Sequence, residues 1–198
     1  MSKKDPDENI NRAKRLLKKP SKRTVLGIML SVLMIPLFAL LFYVFGIIFT
    51  YTGSIPVGFY RIISDTTQIK RGDYVSFCLP DTIAKMGLER GYIHRGSCAN
   101  GSEELIKQVI AVPGDTVKLA NNEISVNGLF LGSGYFAPTR IIDKDHLPVY
   151  RFIKEGTYQA KGYWVYGFGD PRYSWDSRYY GGIPKANIKH RLLPLWIF

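Results

Sequence analysis

The sequence predicts a mainly β fold, in which one N-terminal transmembrane helix is followed by a single β-rich domain. Three observations support this fold class. Residues 25–49 are apolar and include no charged side chain, and such a stretch is long enough to cross a bilayer as a helix. Beyond residue 50, short apolar or alternating runs recur between turn signals, a pattern that is typical of β strands. Only residues 81–90 have a helical period.

The N-terminal part is the most basic region of this chain. The whole chain has a net charge of +11, of which residues 1–23 supply +6, with nine Lys or Arg against three acidic residues. A basic block before an apolar span sets topology and contacts anionic lipid. No nucleic-acid recognition motif accompanies the charge, so no nucleic-acid partner is expected.

Three regions follow from this pattern. We predict a basic cytoplasmic tail over residues 1–23, a transmembrane anchor over 24–50 and an extracytoplasmic domain over 51–198, with the orientation given by the positive-inside rule. The alternative is a cleaved secretory signal, which has a shorter apolar region of about 7–15 residues followed by a small-residue cleavage site.

Five runs and two turns predict the strands of the domain. The runs cover residues 73–78, 105–112, 116–119, 123–126 and 163–166. Pro113-Gly114-Asp115 is a turn signal, and Asn127-Gly128 predicts a hairpin. The apolar run over residues 192–198 is expected to be a final strand packed in the core, with an interfacial contact as the alternative.

Two cysteines, Cys78 and Cys98, lie in the predicted exported part, where disulfides persist. A bridge between them would contribute about 3 kcal/mol, and we favour it over two unpaired thiols. Their spacing does not suit a metal site, for which His94 near Cys98 is a lone candidate. We therefore expect no metal and no cofactor.

Two segments contain residues suited to attack by an activated hydroxyl. Ser54 lies in a loop between Gly53 and Pro56, a backbone that exposes a hydroxyl and leaves N–H groups free for an oxyanion. The alternative is an ordinary turn after a membrane helix. Lys107 interrupts the apolar run 105–112; it either lies on the solvent face of a strand or is buried, and burial would lower its pKa towards that of a useful base.

A third segment, residues 167–182, is dense in Gly, Asp, Ser and Arg and predicts a cross-linked polar loop. Asp176 has Arg178 and Arg172 as possible ion-pair partners. Ser174 is suited to orient a lysine amine by a hydrogen bond.

These three segments together resemble the sequence boxes of the type I signal peptidases, an S26-type serine/lysine family. SIPVGFY, at Ser54, resembles the nucleophile box of the conjugative-transfer branch; IKQVIAVPGD, at Lys107, resembles the lysine box; GDPRYSWDSRYYG resembles the last box. Their order and spacing agree with the family. The resemblance implies the β-rich fold that signal peptidases share with the self-cleaving, LexA-like repressors.

The resemblance also implies roles for single residues. Ser54 corresponds to the nucleophile and Lys107 to its general base. Thr52 corresponds to the hydroxyl that holds the oxyanion together with the Ser54 N–H. Ser174 corresponds to the serine that orients the lysine, and Asp176 and Arg178 to a structural ion pair.

The implied function is cleavage of an exported, membrane-embedded precursor, in this branch a pilin-like one, at the bacterial inner membrane with the catalytic domain in the periplasm. Two fates of the acyl-enzyme stay open, namely hydrolysis and transfer to the N-terminal amine of the pilin, which would give a cyclic product. A non-catalytic, membrane-tethered assembly factor of a conjugation or secretion apparatus is the alternative. A Ser-His-Asp hydrolase would need His94, His146 or His190, none of which lies in a triad motif.

Overall fold

The computed structural model describes residues 21–51, 53–120, 123–132, 149–168 and 174–198. The chain divides into two compact units, one ending at Val44 and one beginning at Phe45. The first unit consists, in its described part, of helix α1. The second contains ten strands, two α-helices and a short 3-10 helix among the described residues, so the predicted mainly β fold class is confirmed.

Helix α1 (Lys22–Val44) is long and apolar enough to cross a membrane. At about 1.5 Å per residue it is roughly 35 Å long, and none of its side chains is buried within the chain. Ser21 caps its first turn by accepting a hydrogen bond from the Thr24 N–H at 3.2 Å. Pro36 lies inside it.

The helix ends at Val44, earlier than the helix over residues 25–49 that the apolar run predicts. Gly46 takes a φ of +62°, a left-handed conformation that ends a helix at little cost only in glycine. Strand β1 (Ile47–Thr50) follows. Its β-branched and aromatic residues are as suited to a strand as to a membrane, and they pair with strand β2.

The larger sheet has six antiparallel strands. The remaining members are β2 (Gly58–Ile63), β3 (Tyr74–Phe77), β4 (Leu105–Ala111), β9 (Trp164–Tyr166) and β10 (Ile188–Ile197). Their order is β1-β2-β10-β3-β4-β9. Residue 54 lies in the connection between β1 and β2, at one edge of this sheet. Strand β4, which contains Lys107, lies next to the strand at the opposite edge.

A smaller sheet of four strands has the order β7-β6-β5-β8. Its strands are β5 (Thr116–Ala120), β6 (Glu123–Val126), β7 (Leu129–Gly132) and β8 (Gly156–Gln159). Asn127 and Gly128 join β6 to β7 with φ of +51° and +79°. This two-residue turn confirms the predicted hairpin.

Three helical segments complete the second unit. They are α2 (Asp81–Arg90), α3 (Ser177–Tyr180) and a 3-10 helix (Lys185–Asn187). The predicted helix over residues 81–90 is thus confirmed. It ends at Gly91, whose φ of +75° forms a left-handed cap. A disulfide joins Cys78, directly after β3, to Cys98, with the Cα atoms 5.8 Å apart.

Strand β10 begins in the core and ends at the surface. Leu192 is buried at 4% exposure, whereas Leu193, Trp196 and Phe198 are 49%, 66% and 73% exposed. The apolar C-terminal run is therefore a strand, as expected, but only its first residue is packed in the core.

Candidate active site

Lys107 is a buried cation at the centre of the candidate site. It lies on β4 directly opposite Val75 of β3, and its side chain points to the same side as Val109, which is 1% exposed. Only 4% of Lys107 is exposed. The alternative of a lysine on the solvent face of the strand is therefore wrong.

The Lys107 amine contacts two hydroxyl groups. Its Nζ lies 2.5 Å from Ser54 Oγ and 3.0 Å from Ser174 Oγ. The first distance is short for a hydrogen bond between nitrogen and oxygen. Among the described residues, no histidine is hydrogen-bonded to Ser54, and His146 lies outside them.

Burial lowers the pKa of Lys107 from 10.5 to about 8. The nearby charges of Asp176 and Glu103 act in the opposite direction, and that of Arg178 adds to the lowering. The loss of hydration thus outweighs the two carboxylates. A large fraction of Lys107 is consequently neutral at mildly alkaline pH, as a general base requires.

The loop that carries Ser54 is held at several points. The Ser54 carbonyl accepts a hydrogen bond from the Phe168 N–H at 3.0 Å. Ile55, the next residue, is 2% exposed in a small core with Tyr60 and Leu192. The Tyr60 hydroxyl donates to the Pro56 carbonyl at 2.7 Å. Ser54 is therefore held through its own carbonyl group and through the two residues that follow it.

Gly58, at the start of β2, allows this loop to pass under β10. A Cβ on residue 58 would lie 2.1 Å from the Trp196 carbonyl oxygen, closer than any real contact. The close packing of residue 58 against β10 thus explains the glycine of the SIPVGFY motif.

Ser174 connects the lysine to a buried ion pair. Its hydroxyl donates to Asp176 Oδ2 at 2.8 Å and can then accept from Lys107. Asp176 in turn accepts from the Arg178 Nε at 2.7 Å and from its Nη2 at 2.8 Å. All three residues are at most 1% exposed. Of the two arginines considered for Asp176, Arg178 is the partner; Arg172 lies outside the described residues.

Further contacts hold this ion pair in one geometry. Asp176 caps α3 by accepting from the Arg178 N–H at 3.2 Å, and Arg178 Nη2 donates to the Ser174 carbonyl at 2.8 Å. The Arg178 guanidinium lies 4.7 Å from the ring centre of Tyr166. Burial alone would lower the pKa of Arg178, but the charge and hydrogen bonds of Asp176 raise it instead. Arg178 therefore stays charged.

Gly167 begins the predicted polar loop over residues 167–182, but that pattern did not indicate a role for this glycine in the site. A Cβ there would lie 2.2 Å from Ser174 Oγ and 3.4 Å from Lys107 Nζ. Its missing side chain makes the space in which the serine and the lysine meet. Thr52, the predicted oxyanion residue, lies outside the described residues, so its role stays a prediction.

A cavity of about 370 Å³ opens beside Ser54 and Lys107. Its wall is mixed, with aliphatic, aromatic and acidic side chains. The other lining residues are Ile48, Phe49, Thr50, Tyr51, Tyr92, Ile93, His94, Glu103, Glu104, Leu105, Ile106 and Trp175. The two glutamates and Trp175 were not predicted to lie in the site, because nothing in their spacing links them to Ser54. No group of three or more His, Cys, Asp or Glu suited to a metal is found in the described part of the chain.

Comparisons with known proteins agree with the resemblance noted in the sequence. The family model "Signal peptidase, peptidase S26" matches residues 21–196. A plasmid transfer protein TraF of Escherichia coli is 32% identical over 88% of this chain and 96% of its own length. A probable conjugal transfer protein TraF of Sinorhizobium fredii is 34% identical over 69% of this chain and 70% of its own. A crystal structure of a signal peptidase I from Enterococcus faecalis matches 64% of this chain and 97% of that chain, at 20% identity and a TM-score of 0.33.

Proposed function

The chain belongs to the signal peptidase family, peptidase S26, and on this premise we propose that it is a membrane-anchored serine endopeptidase in which Lys107 activates Ser54. One observation carries the proposal. The amine of a lysine that is 4% exposed lies 2.5 Å from the Ser54 hydroxyl, and burial brings its pKa to about 8.

The reaction begins with neutral Lys107. Its lone pair takes the Ser54 proton as Ser54 Oγ attacks the carbonyl carbon of the substrate. The hydrogen bonds among Lys107, Ser174 and Asp176 orient the amine for this transfer, because Ser174 holds Nζ within hydrogen-bond reach of Ser54. The Ser54 N–H and the Thr52 hydroxyl are the proposed donors to the oxyanion.

The second half of the reaction returns the proton. The ammonium of Lys107 gives it to the nitrogen of the departing peptide, which leaves an ester between Ser54 and the acyl part of the substrate. A water molecule, deprotonated by Lys107, then hydrolyses this ester. If the N-terminal amine of the substrate replaces the water, the product is a cyclic peptide. Its mass is lower than that of the linear hydrolysis product by one water.

We propose a membrane-embedded precursor of a conjugation apparatus, of the pilin type, as the substrate. The relatives supply the reason, since they are named as plasmid or conjugal transfer proteins. The basic block before α1 supports a cytoplasmic N-terminus and a periplasmic domain at the inner membrane of a bacterium. Mass spectrometry of a candidate pilin, expressed with wild type or with Ser54→Ala, tests both the activity and the type of product. Unchanged pilin in both cases would favour the non-catalytic assembly factor.

A lipid contact of the second unit is part of this proposal. Phe49, Phe59 and Phe198 form a cluster with ring centres 5.0 to 6.4 Å apart. Phe49 and Phe198 are 50% and 73% exposed, and Trp196 beside them is 66% exposed. Aromatic residues are enriched where a protein meets the membrane–water interface. The cluster supports the bilayer as a partner of this edge of the sheet.

A further inference from the structure

The cavity beside Ser54 is acidic in a chain that is otherwise strongly basic. The whole chain has a net charge of +11, yet the charged side chains that line the cavity are Glu103, Glu104 and Lys107, with His94 at the wall. When Lys107 is in its neutral, reactive form, two carboxylates are left without a compensating cation in the wall. A cavity of this kind attracts positive charge.

Glu103 is held in place rather than free to turn into solvent. Its Oε1 accepts a hydrogen bond from the His94 N–H at 2.9 Å, and its own N–H donates to the His94 carbonyl at 2.9 Å. These two bonds close the base of the hairpin over residues 94–103, whose Cys98 is fixed by the disulfide to Cys78. The negative charge of Glu103 raises the pKa of Lys107.

Glu104 has no partner of its own in the described part of the chain. It is exposed at the mouth of the cavity, and among the described residues it has neither a hydrogen bond nor an ion pair. Glu104 thus presents an uncompensated carboxylate directly before Leu105, the first residue of the strand that carries Lys107.

A second, independent feature of the same wall points to a peptide ligand. Trp175 lines the cavity and is 3% exposed, and its indole N–H has no acceptor among the described residues. A buried donor without a partner costs free energy. The N–H has almost no accessible surface, so a peptide carbonyl in the cavity would supply the missing acceptor once the indole turns towards it.

We propose that Glu103 and Glu104 form a cation-binding subsite of this cavity, which selects substrates that carry an ammonium or guanidinium group close to the reacting carbonyl. This inference deepens the proposed function and rests on it, because the substrate is the peptide that Ser54 is proposed to cleave. The cation has two possible sources, a Lys or Arg side chain near the scissile bond or a free N-terminal amine in position to accept the acyl group.

The subsite has a consequence for the base. A substrate cation bound near Lys107 disfavours the ammonium form of the lysine, because like charges repel. The two glutamates hold the cation while their own charge limits this effect. Binding of a cationic substrate would thus favour the neutral amine that the reaction requires.

Binding to a catalytically silent protein tests the subsite separately from proteolysis. The probes are alanine-based six-residue peptides, titrated against full-length Ser54→Ala in detergent micelles by NMR. One series has acetylated N-termini and a single lysine, moved from position to position and paired with norleucine at the same position. A second series has no lysine and compares a free with an acetylated N-terminus. The two series distinguish the two sources of the cation.

We expect at least one cationic peptide to bind about 5- to 10-fold more tightly than its neutral counterpart, the range for one or two partly exposed ion pairs. The preference should fall below about 2-fold when Glu103→Gln and Glu104→Gln are added, and it should shrink as salt is raised. The matched control is Glu123→Gln with Glu155→Gln, which also removes two exposed carboxylates but none from the cavity wall. This control variant should keep the preference for the cationic peptide over its neutral counterpart.

Equal binding of cationic and neutral peptides at every position, including no detectable binding of either, would overturn the subsite. So would a preference that survives in the variant without both cavity glutamates. Cleavage by the wild-type protein is measured with the same peptides. Ser54-dependent cleavage without a cation preference would refute the subsite alone, whereas a glutamate-dependent preference without any cleavage would uphold the subsite and count against the peptidase.

Discussion

Gly167 and Ser174 approach each other so closely that residue 167 has no room for a side chain: a Cβ there would lie 2.2 Å from Ser174 Oγ. Ser174 Oγ is also the atom that links Lys107 to Asp176. The orientation of the Lys107 amine therefore depends on a glycine that has no chemical role.

The first prediction is that Gly167→Ala lowers kcat by about 100-fold, the size of effect expected when a catalytic group is displaced by roughly 1 Å. KM should change little, because Gly167 is not among the residues that line the cavity. Steady-state kinetics of the purified protein would measure both constants. Gly27→Ala, in open space on α1, is the matched control, and equal activity of the two variants would contradict this account of the site.

The second prediction concerns the pH dependence of activity. If Lys107 is the general base, its neutral amine is the reactive form, and kcat/KM should rise with pH along a limb whose apparent pKa is about 8. Glu103→Gln removes a charge that raises this pKa, so its limb should move to lower pH. A pH profile of both proteins on one peptide checks this. A limb that Glu103→Gln moves to higher pH would contradict the assignment of Lys107 as the base.

The third prediction concerns stability. The pKa of Lys107 is lowered from 10.5 to about 8 in the folded protein, so the unfolded chain binds more protons between these two values, and the folded state gains stability as pH rises through that window. Below pH 8, burial of the charged Lys107 amine destabilises the folded state by the full amount, about 3 kcal/mol. Lys107→Met should therefore stabilise the protein most below pH 8 and lose this advantage above about pH 10.5.

Denaturant unfolding in detergent micelles at several pH values measures this difference. Lys118→Met is the matched control, since Lys118 is exposed on β5. A stability difference for Lys107→Met that does not vary with pH would show that burial of the charge is not its cause.

The fourth prediction concerns the lipid contact. The chain has three tryptophans; Trp164 and Trp175 are each 3% exposed, and Trp196 is 66% exposed. In full-length protein reconstituted with spin-labelled lipid, quenching of fluorescence should come mainly from Trp196, and Trp196→Phe should remove most of it. Equal quenching in wild type and Trp196→Phe would place this edge of the sheet away from the bilayer.

The sequence predicted those features that depend on neighbouring residues. The helix over residues 81–90 and the Asn127-Gly128 hairpin follow from local periodicity and turn chemistry, and both are confirmed. The end of α1 was misplaced because Ile47–Thr50 is equally suited to a membrane helix and to a strand, and only its pairing with β2 decides between them.

Features that depend on contacts distant in sequence were not predictable in the same way. Ser54 and Lys107 are 53 positions apart, and it was the order of three motifs, rather than any spacing within one, that brought them together. The membership of the signal peptidase family predicted from those motifs is confirmed. The roles of Gly167 and of the two cavity glutamates were not predictable from the motifs, since they depend on how the folded chain packs around Ser54 and Lys107.

The most direct test of the central claim is the rate at which a membrane-embedded pilin precursor is processed by Ser54→Ala, by Lys107→Ala and by the double variant, followed by intact-mass spectrometry. If Lys107 activates Ser54, each single variant should lose nearly all activity, and the double variant should be no slower than either, because the two residues act as one unit. Lys107→Met serves as a second substitution of the base, and circular dichroism confirms that each variant is folded. Processing at the wild-type rate by either folded single variant would contradict the proposed mechanism.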